Sequence, residues 1–513
     1  MHDLAAQIGS GYVLLEAENV QLEEEYLDTF DWRLYTSGRS LARSKRSYRL
    51  YSAAGEILSE GRGPAKLRPL WRDFPEGQLR DELKTVADIR ALCPQLQLRL
   101  NRRHYHLLNA DEKIVLRLRQ DLMTAMFSGK EPVDFSSLQL YGVRGYSRPF
   151  QAVTQIVKQN GGLQASADKN FLAPILDSAG ISPEKMGAKF AVSLEPDITV
   201  YEGLQEVGLA LLGDTQMHLP GVIDDIDSEF LHDFRIALRR TRSLLSLCYK
   251  ILPAQQADHF RKEFKWITQA TGNVRDCDVY LLKTDDFQAM LPGRLHPGLA
   301  SYFQGLRELR KKEFKLMRRR LKSLRAVKLF KDWQDFLQGR LPEMQKLKGQ
   351  SLCRGFAAKV LKKRYKKILE TGAACGPQSP DSTLHALRIE AKKLRYLLEF
   401  FRSLFSVAEV DLLVKHLKRL QNNLGDFNDL SVQQTMLGSY QSPVKTDNLE
   451  QMLSVAAALG GLITHLADRQ QLVRGEFNET FLQFAGKDNQ SLVQTIVGDA
   501  MHGLSGEKEL PST

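Results

Sequence analysis

Two histidines, each followed by cations at matched offsets, have the residue types and spacing best suited to chemistry. His232-Asp233-Phe234-Arg235-Ile236-Ala237-Leu238-Arg239-Arg240-Thr241-Arg242 returns as His385-Ala386-Leu387-Arg388-Ile389-Glu390-Ala391-Lys392-Lys393-Leu394-Arg395, with 385 − 232 = 153. On an α-helix turning about 100° per residue, offsets 0, 3, 7 and 10 fall within an arc of about 80°. One ridge thus carries His232, Arg235, Arg239 and Arg242, and the other carries His385, Arg388, Lys392 and Arg395; Arg240 and Lys393 widen them. Phe234, Ile236, Leu238, Leu244, Leu245 and Leu247 lie largely off the first ridge, as do Leu387, Ile389, Leu394, Leu397, Leu398 and Phe400 off the second, so each helix has a face to bury. A row of cations suits a chain of phosphates rather than a single phosphate. Arginine supplies bidentate contacts, lysine a mobile point charge, and histidine a donor that strengthens below a pKa of about 6.5.

The bland alternatives are specific. A single basic ridge is ordinarily a solvated helix face, and a lone helical histidine is ordinarily a satisfied structural residue. Duplication at identical offsets weighs against the first. A metal role is disfavoured, since neither histidine has a His, Cys or carboxylate four residues on. Symmetry also weighs against catalysis, because an acid and a base need different environments.

The self-similarity continues past the histidine helices. Lys262 and Lys265 correspond to Lys415 and Lys418, and Gly272 in Thr271-Gly272-Asn273-Val274-Arg275-Asp276 corresponds to Gly425 in Leu424-Gly425-Asp426-Phe427-Asn428-Asp429. A match at so long a period signals a duplicated structural unit. The glycines read as turns. Asp276 and Asp429, just beyond them, read as helix caps or as partners of ridge arginines. Tyr396 on the second ridge has Ser243 as its counterpart, so any role it has is asymmetric. Arg310, Lys311, Arg318, Lys362 and Lys363 could extend an anion path or merely face solvent.

These motifs, HxxRxxxRRxR, HxxRxxxKKLRY and LGxxxD, resemble the CHAD domain family, named for its conserved-histidine α-helices, over about residues 199–487. The resemblance implies two pseudo-symmetric four-helix bundles. It also implies a basic cleft or pore that binds inorganic polyphosphate, at polyphosphate granules; with the residue readings above, the expectation is a non-catalytic, cytoplasmic binder with no cofactor and no metal. The expected ligand-binding set is His232, Arg235, Arg239, Arg240, Arg242, Lys262, Lys265, His385, Arg388, Lys392, Lys393, Arg395, Tyr396, Lys415 and Lys418. Two other readings stand beside it: a metal-dependent triphosphate or polyphosphate phosphohydrolase, and a nucleic-acid binder. The ridges are poor in aromatics for base stacking, which disfavours single-strand readers.

The elements that must hold these residues follow from the whole chain. Its 513 residues fit two or three domains, and 72 Lys plus Arg against 61 Asp plus Glu give a net charge of +11, pointing to a polyanionic partner. The excess is concentrated: Arg307–Arg325 holds ten basic residues against two acidic ones. Five cysteines without CxxC spacing read as reduced, mostly buried thiols of a cytoplasmic protein. No run of eighteen apolar residues suggests a membrane span, and no signal peptide is evident at the N-terminus. Phosphate-loop, HExxH and nucleophile-elbow motifs are absent from the sequence.

The predicted fold class is multidomain α+β. Residues 1–125 read as a small antiparallel β domain, with strands at Tyr48–Tyr51 and Ile114–Arg119. Tyr26-Leu27-Asp28-Thr29-Phe30-Asp31-Trp32-Arg33-Leu34 and Ser37–Arg43 resemble part of a CYTH, or triphosphate-tunnel, domain. A working CYTH tunnel carries an ExExK strand. Here Glu16-Ala17-Glu18-Asn19-Val20 and Glu23-Glu24-Glu25-Tyr26-Leu27 both lack the lysine, which implies a degenerate, non-catalytic relative without a Mg²⁺ or Mn²⁺ site. His104 and His106 share a strand face, but no third metal ligand is evident.

Residues 126–198 read as a connector with short helices near 149–159 and 171–179, and Gly161-Gly162 between them. Helical periodicity fills 199–487, with repeat 1 at about 199–345 and repeat 2 at about 350–487. Breaks are expected at Leu252-Pro253, Leu291-Pro292-Gly293, Leu341-Pro342 and Gly372–Pro380, and 488–513 reads as a tail.

Overall fold

A computed structural model describes residues 7–8, 11–53, 55–127, 129–159, 170–187, 190–340, 349–376, 378–440 and 448–505. The chain divides into two compact units, 1–189 and 190–513.

In the first unit, seven strands form one antiparallel sheet in the order β4-β3-β2-β1-β5-β6-β7. They are β1 (Val13–Asp28), β2 (Arg39–Ser44), β3 (Ser47–Ser52), β4 (Ile57–Arg62), β5 (Cys93–Leu108), β6 (Ile114–Met126) and β7 (Val133–Gly142). Successive side chains point to opposite faces. Leu27, Leu41, Tyr48 and Leu50 pack with Leu79 and Leu83 of a helix at Gln78–Ala87, whereas Tyr26, Ala42, Leu98 and Leu100 pack with Ile175 and Leu176 of a helix at Ala173–Ser178. The segment expected as a connector therefore completes the β unit: it supplies β7, that short helix and a helix at Ser147–Gln159. Its apolar alternation changes phase at Ser136-Ser137, with Val133 and Phe135 before it and Leu138 and Leu140 after it; Phe135 packs with one cluster and Leu138 and Leu140 with another, so no single alternating run marks the strand. Gly161-Gly162 lies outside the described residues.

The second unit is helical. Its main helices are α1 (Val200–Ile223), α2 (Ser228–Leu247), α3 (Ala254–Ala270), α4 (Gly272–Leu282), α5 (Thr284–Ala289), α6 (His296–Leu321), α7 (Leu324–Asp335), α8 (Cys353–Ala373), α9 (Asp381–Phe400), α10 (Val407–Gly438), α11 (Leu449–Ala485) and α12 (Lys487–Ser505). The internal duplication shows in where the helices begin. The starts of α1, α2, α3 and α6 precede those of α8, α9, α10 and α11 by one constant offset: 353 − 200 = 381 − 228 = 407 − 254 = 449 − 296 = 153. The repeats are stitched by a symmetric pair of hydrogen bonds around the Thr199–Leu352 bridge, Val200 N–H to the Ser351 carbonyl at 3.0 Å and Cys353 N–H to the Ile198 carbonyl at 2.8 Å.

The two bundles share one interior. Tyr280, Phe287, Leu299, Tyr302 and Phe303 of repeat 1 pack in the same cluster as Leu437, Ala458, Leu462 and Leu466 of repeat 2. Gly298 permits the close crossing of α6 and α11, because a Cβ there would collide with the Ser454 carbonyl.

Three expectations need correction. Gly425 does not mark a turn: it lies inside the 32-residue α10, whereas the equivalent Gly272 begins α4 just after the junction at Thr271. Residues 488–505 are not a tail, since α12 buries Val493, Ile496 and Ala500 and packs on α8. Ile389 stands 41% exposed rather than in the core. Leu341-Pro342 lies outside the described residues. By length and composition α11 is apolar enough to cross a membrane, but its Leu459, Leu462 and Leu466 stripe belongs to the shared core. The five cysteines are free thiols, with Cys248, Cys277 and Cys353 buried.

Candidate anion-binding site

The two predicted ridges lie on α2 and α9, and these helices touch. Phe234, Leu238, Leu244 and Leu245 on α2, with Leu387, Leu394, Leu397 and Leu398 on α9, sink into the core and turn the opposite faces outward. Arg240 of α2 donates to Glu399 of α9 at 3.0 Å, and Arg395 donates to the other oxygen of the same carboxylate at 2.7 Å. One acid thus ties a cation from each repeat.

Beside this tie the cations crowd. Lys392 of α9 is pushed down to about 8 by burial, by Arg388 and by Arg239 of the other repeat; Asp429 opposes the shift and Arg395 adds to it. Arg235 is pushed down to about 10 by burial and by Arg239, against the pull of Asp276. The Arg239 Nε and the Arg388 Nε are buried without hydrogen-bond partners. Desolvated like charges raise the free energy of the site, and an anion lowers it.

Each repeat anchors its first ridge arginine with its own second-half helix. Arg235 donates to the Thr268 carbonyl at 3.0 Å and the Thr271 hydroxyl at 2.7 Å, while Arg388 donates to Asp429 at 3.2 Å. Arg235–Asp276 and Arg388–Asp429 are equivalent pairs, since 276 − 235 = 429 − 388 = 41. Burial raises the Asp276 carboxyl and Arg235 lowers it. The equivalent of Thr268 in repeat 2, position 268 + 153 = 421, holds a different ridge arginine: Gln421 donates to the Ala391 carbonyl at 2.7 Å and accepts from Arg395 at 3.5 Å.

The remaining predicted residues are placed less uniformly. His385 is exposed, its Nδ1 2.5 Å from Asn428 Oδ1, and His232 is half-buried. Lys393 is paired with Glu390 at 2.6 Å, and Tyr396 stacks on Phe400. Arg242 is exposed and lies within reach of the Arg235 charge. Lys262 and Lys265 on α3 and Lys415 on α10 are exposed, and Lys418 is half-buried.

Among the suggested extensions, Arg310 is committed elsewhere. It holds Asp225 through two bonds of 2.7 and 2.8 Å and also Asp278, and those hydrogen bonds keep its charge firmly in place. Lys311 pairs with Glu308 at 2.7 Å. Arg318 on α6 and Lys362 and Lys363 on α8 are exposed.

Two contributors had been quoted in the motifs without a role. Arg275 donates to the Ser228 carbonyl at 3.2 Å and adds to the field on Arg235, and Asn428 holds His385. They are equivalent positions, 275 + 153 = 428, so the repeat offset was the signal that could have found them.

In the β unit, the register sets Arg119 opposite His104 and Arg117 opposite His106. Cationic neighbours of this kind oppose a metal. Of the two acidic stretches, Glu16 and Glu18 are exposed, and Glu24 is held by Tyr26 at 3.0 Å and Arg49 at 3.3 Å. Asp121 is held by Arg102 at 2.9 Å and Arg119 at 3.2 Å.

The sequence profile of the CHAD domain family matches residues 207–438, a span that includes both ridges. That stretch is a CHAD domain. The chain is similar in structure to the CHAD domain from the plant Ricinus communis, with 22% identity, 58% of this chain and 97% of that chain covered, and a TM-score of 0.49. It is also similar to PptA from Streptomyces chartreusis, with 15% identity, 55% and 99% covered, and a TM-score of 0.42. No curated protein matches the chain. The CHAD domain here thus carries its two ridge helices in direct contact, joined through Glu399.

Proposed function

We propose that the CHAD domain binds linear inorganic polyphosphate without catalysis, along the track defined by Arg235, Arg239, Arg388 and Lys392. The observation that carries this reading is the contact of α2 and α9 through Arg240, Glu399 and Arg395, which brings the cationic ridges of the two repeats together. Glu399 is already engaged by Arg240 and Arg395, and Asp429 by Arg388. A chain of phosphates supplies the negative charge at regular intervals, and arginine forks grip its non-bridging oxygens. Binding releases counterions, so affinity falls steeply with salt. In this reading the N-terminal sheet is a degenerate CYTH relative with no hydrolytic role, and the protein is cytoplasmic and associates with polyphosphate granules.

Titration of labelled long-chain polyphosphate into the wild type and a variant with Arg235, Arg239, Arg388 and Lys392 changed to Ala tests the site. The expected result is a loss of affinity of at least about a hundredfold, since four charge-assisted contacts are removed, with helical content retained. Unchanged binding refutes the assignment. Metal-dependent phosphate release with Mg²⁺ or Mn²⁺ would replace the binding-only reading by a hydrolase, and equal displacement by RNA at matched phosphate would make the site a generic polyanion binder.

A further inference from the structure

Arg239 and Lys392 occupy the same offset, seven residues past the histidine, but they are not chemically equivalent. A guanidinium keeps its proton in almost any surroundings, whereas an ammonium surrenders one when it is crowded and desolvated. Lys392 is half-buried on α9, four residues after Arg388 and three before Arg395 and so on the same helix face, and α9 meets α2 through Glu399 and Arg240. The charged groups acting on it are Arg388 and Arg395 from its own helix, Arg239 from α2 and Asp429 from α10. The other acids nearby are occupied: Glu390 by Lys393 and by Arg364 of α8, and Glu399 by Arg240 and Arg395. Asp429, largely exposed, already accepts from Arg388.

We infer that polyanion binding at this crossing is proton-coupled through Lys392, so that the complex takes up a proton and the site weakens as the pH rises from 7 to 9. The inference rests on the polyphosphate reading above. In the free protein, burial and the neighbouring arginines hold Lys392 down at about 8. Phosphates laid beside it supply opposite charge and draw it back toward the ordinary lysine value of about 10.5. The bound state then holds the proton more tightly than the free state. Affinity is full below a pH of about 8 and declines above it, by about tenfold between pH 7 and 9 if the ordinary value is fully restored. Arg235, pushed down to about 10, remains mostly charged across that window.

The test is calorimetric titration of the full chain with long-chain polyphosphate, whose end groups are few. It is run at constant ionic strength from pH 7 to 9 in buffers of different ionisation heat, with circular dichroism at each pH. The wild type should lose about tenfold in affinity and take up close to one proton at pH 9, but almost none at pH 7. In Lys392→Arg the ratio of affinities between pH 7 and 9 should fall to near one and the proton uptake should vanish. Binding at pH 7 with no proton uptake at pH 9, or with wild type and Lys392→Arg weakening in parallel as the pH rises, overturns the inference and leaves the polyphosphate reading standing. Absence of binding at pH 7 overturns both.

Discussion

At the residue scale the CHAD domain separates cations that are spent from cations that are strained. Arg310 belongs to the first group. Its removal by Arg310→Ala leaves Asp278, 4% exposed, without its directly paired cation. Breaking a buried pair from one side costs about 3–5 kcal/mol, so the midpoint of denaturant unfolding should fall clearly while polyphosphate affinity stays within about twofold. Glu399→Ala makes the complementary case. It frees the largely buried Arg240 and the half-buried Arg395, and should destabilise the fold without lowering anion affinity. A fall in affinity comparable to that of the ridge variants would show that Glu399 organises the track rather than closing it off. These assignments were out of reach of the sequence, in which Arg310 looks like any other member of a basic run. Its partners lie 85 and 32 residues away, and only the folded chain brings them together.

At the element scale, what the sequence revealed and what it hid have a common cause. The helices of the two repeats were legible because apolar residues recur on one face and because four of them begin twice at the same spacing. The turn assigned to Gly425 was an error of local reasoning: a glycine is a weak helix breaker, costing about 1 kcal/mol, and the packing of α10 against α9 and α11 outweighs it. Strand β7 was hidden because its apolar residues switch from Val133 and Phe135 to Leu138 and Leu140, which breaks the period of two at Ser136-Ser137. The α6/α11 crossing offers a sharp test. Gly298→Val should push the Ser454 backbone away and cost more than about 2 kcal/mol, whereas a change at the equivalent Gln451, which is exposed, should cost under about 0.5 kcal/mol in thermal or denaturant unfolding.

At the scale of the whole molecule, the shared interior makes the two repeats one cooperative body. Leu462 of repeat 2 is fully buried against Phe303 and Tyr302 of repeat 1. Leu462→Ala should therefore cost about 2–5 kcal/mol and lower the unfolding transition of both repeats together. Hydrogen exchange read separately on α2 and α9 would check this, and protection lost only in repeat 2 would show two independently folding halves.

The reciprocal bonds at Val200 and Cys353 carry one more consequence. Each strand of that bridge meets its own image, so the seam is self-complementary in the way a homodimer interface is. A polypeptide carrying one copy of the repeat would rebuild the same seam by meeting another of its kind. Fusing the halves removes the dependence on concentration, and it lets arginine stand at one mirror position while lysine stands at the other.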